Sequence, residues 1–278
     1  YAPPKIAPLV FSIKQTGVPV GGALAGLMVP LLAGLYGWRS AFWATALACL
    51  LLALLLQPMR AEFDRARQPG RKFSLGDIAT TIRVVVRDPA LRGLAIAGFT
   101  YVGVQAVFAA FFVAYLTRGL GYDLKTAGYS FAIAQAASIG ARILWGWMAG
   151  RFLPARSMLA ILGIAMAGVS VATGLYTREW SLTAITAVAI AYSATAISWH
   201  GVMFAEIARL VPPNQVGGIT GGVLSFVSAG MMLYPGAFGV ILATTSSYGT
   251  GFFAAAVPAL LAGLLLCRRV AAKPPGPA

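Results

Sequence analysis

Charged side chains are scarce in this sequence. Only 10% of its 278 residues are Asp, Glu, Lys or Arg, whereas 59% are hydrophobic. A soluble globular domain carries about 25% charged residues, so this composition excludes one. The shortage falls on the acidic residues, since 7 of them stand against 21 basic ones and give a net charge of +14. In a membrane protein such an excess arises from cytoplasmic loops, and it then indicates no nucleic-acid partner.

Metal-binding and catalytic motifs are also missing. Of the two cysteines, Cys49 and Cys267, neither stands near a C-x-x-C pair or a cluster of His or Asp. A zinc site and a disulfide framework are therefore not predicted. The sequence contains no G-x-x-x-x-G-K-[ST] phosphate loop and no H-E-x-x-H motif. We therefore expect no enzyme activity, no metal, no cofactor and no ATP-driven transport.

Long apolar runs divide the chain into membrane spans. A helix needs about 20 apolar residues to cross a bilayer with its backbone groups satisfied internally. The last charge-free run, from Leu210 to Cys267, is too long for one span and must fold back. The sequence predicts an all-α polytopic membrane protein with eight spans, at residues 15–38, 40–59, 93–117, 126–150, 157–177, 180–205, near 216–243 and 250–267.

The distribution of basic residues predicts the orientation. With a cytoplasmic N-terminus, fifteen of the 21 basic residues fall in cytoplasmic segments, four in outer turns and two, Lys14 and Arg142, within spans. Cytoplasmic loops of membrane proteins are enriched in Lys and Arg. We therefore expect both ends in the cytoplasm and a multi-pass monomer in a cell membrane, in particular a bacterial inner membrane.

A short internal repeat relates the two ends of the chain. Residues 15–24 (QTGVPVGGAL) align without gaps to residues 215–224 (QVGGITGGVL) and share five of ten residues. Chance similarity between glycine-rich helices is the alternative. A true repeat gives the first two spans the place in one half that the last two have in another. The third to eighth spans would then form a complete six-helix half.

Several motifs resemble those of one transporter family. They are residues 17–22 (GVPVGG), 37–39 (GWR) and 146–151 (GWMAGR). With two halves joined by a charged loop, the chain is similar to helices five to twelve of the twelve-helix major facilitator superfamily. The resemblance implies that four further helices precede this chain. It also implies three regions: 1–57 as the last two helices of an N-terminal bundle, 58–92 as a central cytoplasmic loop with an interfacial helix, and 93–278 as a C-terminal six-helix bundle with a short tail.

Two departures limit what this resemblance implies. Gly150 stands where the superfamily's G-x-x-x-D-R-x-G-R-R loop has Asp, so that loop's charge relay is not expected. Gly17 and Pro19 are separated, unlike the adjacent Gly-Pro of the antiporter motif, so antiport is not implied. Residues 14–17 (KQTG) and 199–202 (WHGV) are similar to bacterial organic-anion and cyanate-permease-like carriers.

The charged connector contains a predicted amphipathic helix. Ser74 is a suitable cap, and apolar residues recur on one face until Asp88 and Pro89 end the helix. Beside basic residues, such a helix is expected to lie on the inner membrane surface.

Glycines recur four residues apart, a spacing that lets helices approach closely in lipid. The pairs are Gly17 and Gly21, Gly22 and Gly26, Gly146 and Gly150, and Gly218 and Gly222. Close packing alone is one interpretation. In the superfamily helix five meets helix eight, so the resemblance implies that the first two pairs face Gly146 and Gly150 and slide past them during transport.

Ionisable residues inside spans are costly in lipid and are therefore candidates for a functional site. Arg142 lies about 13 Å from the inner end of its span, and it is predicted to bind an anionic solute or to act in gating. The alternative is an ion pair with a carboxylate on one of the four helices expected to precede this chain. Lys14 is expected to bind solute or to extend to the headgroups. His200 is expected to accept a coupled proton or to be a neutral, hydrogen-bonded residue. Glu206 and Arg209 are predicted to form a local ion pair.

Polar and aromatic side chains within the spans are candidates for lining a solute cavity, with packing as the alternative for each. They are Tyr101, Gln105, Phe108, Gln135, Trp145, Trp199 and Tyr234. Gln105 and Gln135 are the most informative, because an amide facing lipid is costly and should point into the bundle.

The sequence thus predicts a secondary carrier that moves a small anionic organic solute by alternating access, with protons as coupling ions. Its expected partners are the solute, the lipid bilayer and protons. The alternative is a transport-inactive or scaffold-like membrane protein that lacks the first four helices.

Overall fold

The computed structural model of the protein describes residues 7–60, 75–212 and 214–268. Within these residues the regular structure is helical, with no strand. The helices are α1 (Ala7–Lys14), α2 (Gly17–Tyr36), α3 (Trp38–Leu56), α4 (Leu75–Arg87), α5 (Pro89–Ala114), α6 (Leu124–Arg151), α7 (Ala155–Gly174), α8 (Leu182–Ala196), α9 (His200–Leu210), α10 (Val216–Thr245) and α11 (Tyr248–Cys267).

Seven helical stretches of the described residues are long and apolar enough to cross a bilayer. They are Leu9–Tyr36, Trp38–Met59, Pro89–Gly119, Ala155–Gly174, Leu182–Leu210, Val216–Thr245 and Tyr248–Cys267. The remaining predicted span is α6, which is long enough at 28 residues but carries Gln135 and Arg142 among its apolar residues. The polytopic all-α membrane fold is confirmed, with α6 as its most polar long helix.

Two helix breaks were not predicted from the sequence. The first predicted span, residues 15–38, corresponds to α2, but a further helix, α1, precedes it and is separated from it by a turn at Gln15 and Thr16. The sixth is divided into α8 and α9 by residues 197–199. Both breaks expose backbone groups inside the protein.

Side chains cap several helices where the chain enters them. Asp88 accepts hydrogen bonds from the backbone nitrogens of Ala90 and Leu91, at 2.8 and 3.0 Å, and Pro89 fits a first turn that needs no N–H group. The connector helix α4 accordingly ends at Arg87, directly before this cap. Asp123, Ser181 and Ser247 cap α6, α8 and α11 in the same way.

The core lies where α5, α7, α8, α10 and α11 pack together. Tyr192 stacks on Phe108 with ring centroids 4.4 Å apart and donates its hydroxyl to the Val104 carbonyl at 3.2 Å. Phe108 is therefore a packing residue. The α7 and α11 backbones meet at glycine, since a Cβ on Gly263 would lie 2.9 Å from the backbone nitrogen of Ile164. Such close approach is typical of helices that pack in lipid.

Helix α2 packs antiparallel along α6 through small residues. A Cβ on Gly26 would lie 3.0 Å from both the Ala132 Cβ and the Gly128 carbonyl oxygen, and one on Gly22 would fall on the Gln135 amide. Gly21 has no such neighbour within 4 Å.

The resemblance implied that the glycines of α2 face Gly146 and Gly150. This expectation is wrong, because the α2 glycines that contact α6 meet residues 128–135 instead. The antiparallel register places Gln15 opposite Arg142, so the Gly146 end of α6 lies beside α1 instead. Gly146 is buried, whereas Gly150 is exposed at the end of α6.

The repeated glycine segments of α2 and α10 have the same pattern of contacts. Gly17 and Gly21 are open, as are Gly217, Gly218 and Gly221. At the third repeated position both segments meet a neighbour: Gly22 meets Gln135 of α6, and Gly222 meets Thr81 and Val85 of α4. The two segments thus use equivalent glycines to receive another helix.

The connector helix α4 packs on α10. Val85 is fully buried in this contact, so the apolar face of α4 is directed towards the helices. The predicted cap Ser74 and the first part of the connector, residues 61–74, lie outside the described residues.

The α2 and α6 contact predicts opposite effects for two glycines of one helix. Gly26→Leu should lower the free energy of unfolding by about 1–3 kcal/mol, because the added atoms meet the α6 backbone. Gly21→Leu should be neutral or slightly stabilising, since the site is open and leucine favours helix over glycine. Thermal unfolding of the detergent-solubilised variants measures both. Equal midpoints for the two variants would contradict the described packing.

Candidate functional site

Arg142 joins two parts of the chain that are distant in sequence. Its side chain is fully buried in α6. Nη1 donates to the carbonyl oxygen of Gln15 at 2.7 Å, and Nη2 donates to the carbonyl oxygen of Ile197. Gln15 lies in the break between α1 and α2, and Ile197 lies in the break between α8 and α9. One guanidinium therefore connects both interrupted spans.

The Gln15 carbonyl is available because of a proline. In a continuous helix this oxygen would accept from the backbone nitrogen of residue 19, but Pro19 has no N–H group. The backbone nitrogen of Val18 is 3.4 Å away and makes at best a weak hydrogen bond. Arg142 supplies a donor in place of the missing one.

The break at Ile197 is held by polar groups of α6. Ser198 donates its hydroxyl to the Ser138 carbonyl at 3.2 Å, and Trp145 Nε1 donates to the Ala194 carbonyl at 2.7 Å. Non-helical backbone at membrane depth is tolerated where it is buried in protein. Trp145 therefore has a structural role at the break.

The place where Arg142 meets Gln15 and Ile197 is called the Arg142 junction. Three buried polar atoms close to it have no hydrogen-bond partner. They are Nε of Arg142, Nδ1 of His200 and Oγ of Ser12. Ser12 of α1 packs against Gly201, because a Cβ on that glycine would fall on Ser12. The His200 ring stacks on the Trp199 ring with centroids 3.9 Å apart. The three atoms thus belong to α6, α9 and α1, which contact one another.

Glu206 is already neutralised by a neighbour on its own helix. Arg209 donates Nε and Nη2 to its two carboxylate oxygens, each at 2.8 Å. Glu206 is 1% exposed, so this bidentate pair satisfies a buried carboxylate. Among the described residues, no carboxylate pairs with Arg142.

Two other sequence candidates lie next to the junction. Tyr101 donates its hydroxyl to the Leu159 carbonyl at 2.8 Å, and its ring meets Trp199 edge-on at 5.8 Å. Trp199 donates Nε1 to the Ala196 carbonyl at 3.0 Å. Tyr101, Trp199 and His200 therefore form a continuous aromatic row, in which the tyrosine and tryptophan polar groups are already bonded to backbone.

Both glutamines point into the protein. Gln135 is 6% exposed, two helical turns before Arg142, and its Oε1 lies 3.5 Å from the Ser193 hydroxyl. Gln105 has a buried Oε1 without a hydrogen-bond partner. This inward placement agrees with the cost of exposing an amide to lipid.

Two candidates lie outside the junction. Lys14 is exposed at the end of α1, so its side chain is free to extend towards the membrane surface. Tyr234 of α10 packs on Gly103 and meets the Phe99 ring edge-on at 5.5 Å. Gly103 is two residues from Tyr101, about 200° around α5. Tyr234 therefore contacts a different side of α5 from Trp199.

Sequence reasoning missed Ser12 and the two carbonyl groups. The unpaired Gln15 carbonyl could have been predicted from the sequence, because the proline four residues later has no N–H group to donate to it. Ser12 could not, since a lone serine in an apolar run is usually a packing residue. The Ile197 carbonyl depends on contacts between α6 and the break, which no local pattern shows.

An apolar cavity of about 490 Å³ lies elsewhere, between α2 and α3. Its lining residues are Val29, Ala33, Trp38, Ala41, Phe42, Thr45 and Ala46. The Thr45 hydroxyl bonds to its own helix at the Ala41 carbonyl. The lining of the cavity contains no charged side chain, so it offers no charge complementary to an anionic solute.

Comparison with known families decides the classification. The family model of the Major Facilitator Superfamily matches residues 1–207. The chain belongs to this superfamily. A human protein of the curated set, monocarboxylate transporter 11, is 26% identical over 265 residues, which cover 88% of the chain and 52% of that relative. The chain spans about half the length of this curated relative.

Membership confirms the resemblance drawn from the glycine-rich motifs. The major facilitator superfamily consists of membrane transporters, so the chain belongs to a transporter family and not to an enzyme family. Its seven apolar helical stretches among the described residues make this superfamily chain a multi-pass membrane protein. Arg142 stands on the long helix that packs against α1, α2 and α8.

The two carbonyl contacts of Arg142 predict that replacing this arginine by lysine lowers the stability of the protein. Arg142→Lys keeps the charge, but an ammonium group lacks the planar fork that reaches two separate acceptors. One buried carbonyl then loses its donor, and the free energy of unfolding should fall by about 1–3 kcal/mol. Thermal unfolding measures the loss against Arg178→Lys, a substitution at an exposed position. A stability equal to that of the control would show that the carbonyl contacts are dispensable.

Proposed function

We propose that the protein is a secondary carrier of small organic anions in which Arg142 is the principal contact of the solute. The observation that carries this proposal is the state of the Arg142 side chain, which is fully buried and without a carboxylate partner in the described residues. Burying an unpaired cation is costly. A bound anion would offset that cost.

The chemistry of the site favours a carboxylate. A guanidinium presents a planar fork of N–H groups that matches the two oxygens of a carboxylate. Arg142 has an Nε without a hydrogen-bond partner, and this N–H group is a donor for a carboxylate oxygen. The similarity to a human monocarboxylate transporter supports a monocarboxylate in particular.

The two helix breaks support alternating access. Carriers commonly place interrupted helices at the solute site, where freed backbone groups bind solute or ions. Here one break belongs to the N-terminal region, residues 1–57, and the other to the C-terminal bundle, residues 93–278, with residues 58–92 as the connector between them. Arg142 bonds to both breaks, so movement between the regions must change its contacts. The small-residue contact of α2 and α6 allows such sliding.

His200 supports coupling to protons. It is the single histidine of the chain, and its Nδ1 is buried without a hydrogen-bond partner. Histidine changes its charge near neutral pH more readily than other side chains. In this proposal His200 takes up a proton together with the anion and releases it when the anion leaves.

The distribution of basic residues supports the orientation. Both ends are proposed to be cytoplasmic, with the protein in a cell membrane, and a bacterial inner membrane and a monomeric state stay predictions from the sequence. In this orientation Arg39, Arg118, Lys125 and Arg178 are the basic residues of the outer turns.

Arg142→Gln tests the proposed site directly. Uptake of radiolabelled monocarboxylates of two to eight carbons into proteoliposomes should fall about 100-fold, because the variant loses the positive charge and a charge-assisted hydrogen bond to the anion. The control Arg178→Gln removes a cation at an exposed position and should transport as the wild-type protein does. Unchanged uptake by Arg142→Gln, or no uptake by the wild-type protein, would contradict the proposal.

His200→Gln tests the coupling. An inward proton gradient should accelerate anion uptake by the wild-type protein but not by the variant, because glutamine cannot carry the proton. Exchange of labelled for unlabelled anion without a gradient should continue in the variant, since Arg142 is intact. Uptake that still responds to the gradient in His200→Gln would exclude this histidine as the coupling group.

A further inference from the structure

Ser12 carries the one hydroxyl group that is buried without a hydrogen-bond partner among the described residues. A serine or threonine inside a helix commonly donates its hydroxyl to a carbonyl three or four residues earlier. Many helical hydroxyls here do so, namely those of Thr45, Thr80, Thr117, Thr173, Thr195, Ser225, Thr244 and Thr245. Ser12 is fully buried, yet its Oγ has no hydrogen-bond partner. Local helix geometry therefore does not account for this hydroxyl.

The surroundings of Ser12 place it beside the Arg142 junction. Its carbonyl accepts from the backbone nitrogen of Gln15 at 3.2 Å, and the carbonyl of Gln15 in turn accepts from Arg142. Ser12 also packs on Gly201, the neighbour of His200 in the chain. Ser12 therefore lies within one helical turn of the α6 contact and against the first turn of α9.

We infer that Ser12 is a second anchor of the anion, donating its hydroxyl to a carboxylate oxygen of the solute held by Arg142. The inference rests on the proposed function, since it names a further residue of the same site. It accounts for two unpartnered donors at once, because Nε–H of Arg142 and the hydroxyl of Ser12 would each donate to one oxygen of the same carboxylate. Leaving such buried groups unpaired costs free energy, which binding recovers.

The position of Ser12 gives this contact a consequence for transport. Ser12 belongs to α1, whereas Arg142 belongs to α6 and His200 to α9. A carboxylate that bridges Ser12 and Arg142 ties α1 to the C-terminal bundle. The affinity for the anion therefore depends on α1 being seated against α9, and an outward movement of α1 weakens the site.

Ser12→Ala tests the inference with two readouts of opposite sign. Without ligand, the variant should be as stable as the wild-type protein or slightly more stable, because it loses a buried hydroxyl that has no partner. Its affinity for propionate, measured by isothermal calorimetry on the detergent-solubilised protein, should fall about tenfold. Ser225→Ala is the matched control, since that hydroxyl bonds to its own helix at the Gly221 carbonyl. The control should bind propionate normally.

The outcomes separate this inference from the proposed function. Unchanged propionate affinity in Ser12→Ala, with binding abolished in Arg142→Gln, would overturn the role of Ser12 and leave the anion site standing. Lower stability of ligand-free Ser12→Ala would also overturn it, because the hydroxyl would then be bonded within the protein. Wild-type affinity in Arg142→Gln would overturn the proposed function itself. A second substitution, Ser12→Cys, replaces the hydroxyl by a weak donor of similar size, and it should bind propionate with intermediate affinity.

Discussion

The hydrogen bonds from Arg142 to the carbonyls of Gln15 and Ile197 are the contacts on which the rest of the site depends. A cation buried in a membrane protein requires hydrogen-bond acceptors, and the free carbonyl groups of a broken helix require hydrogen-bond donors. In this chain the guanidinium of α6 is the donor, and the carbonyl oxygens of the two interrupted spans are the acceptors. The helix breaks are stable inside the protein because Arg142 of α6 donates hydrogen bonds to their carbonyl oxygens. Arg142 in turn stays buried because these oxygens accept its hydrogen bonds.

This arrangement connects packing with function. The carbonyls hold the two ends of the guanidinium fork but leave Nε free, next to the free groups of Ser12 and His200. Neutral carbonyl oxygens do not cancel a full positive charge, and Glu206 is already occupied by Arg209. The site therefore has a remaining charge and remaining donors, and a small anion has the complementary properties. The junction also connects the break between α1 and α2 with the break between α8 and α9, and these segments move relative to each other in the proposed cycle.

Much of the fold could be predicted from the sequence, because the cost of unsatisfied backbone in lipid makes long apolar runs form helices. The turn at Gly37, the end of α4 before Asp88 and the importance of Arg142 follow from local chemistry. The helix breaks, the partners of Arg142 and the role of Ser12 could not be predicted, because they arise from contacts between distant segments. The prediction that Gly21 faces Gly146 was wrong for the same reason. The spacing of glycines shows which residues are small, but the register between α2 and α6 determines which of them are in contact.

The most direct measurement of the anion site is the distance between Arg142 and a bound carboxylate. Solid-state NMR can measure the dipolar coupling between ¹⁵N-labelled arginine and propionate labelled with ¹³C at its carboxyl carbon, in protein reconstituted into lipid. We expect a coupling that corresponds to about 4 Å between the Arg142 side-chain nitrogen and the carboxyl carbon, as in a charge-assisted hydrogen bond, and its disappearance in Arg142→Lys. Bound propionate without such a coupling, or the same coupling in Arg142→Lys, would contradict the proposed anion site.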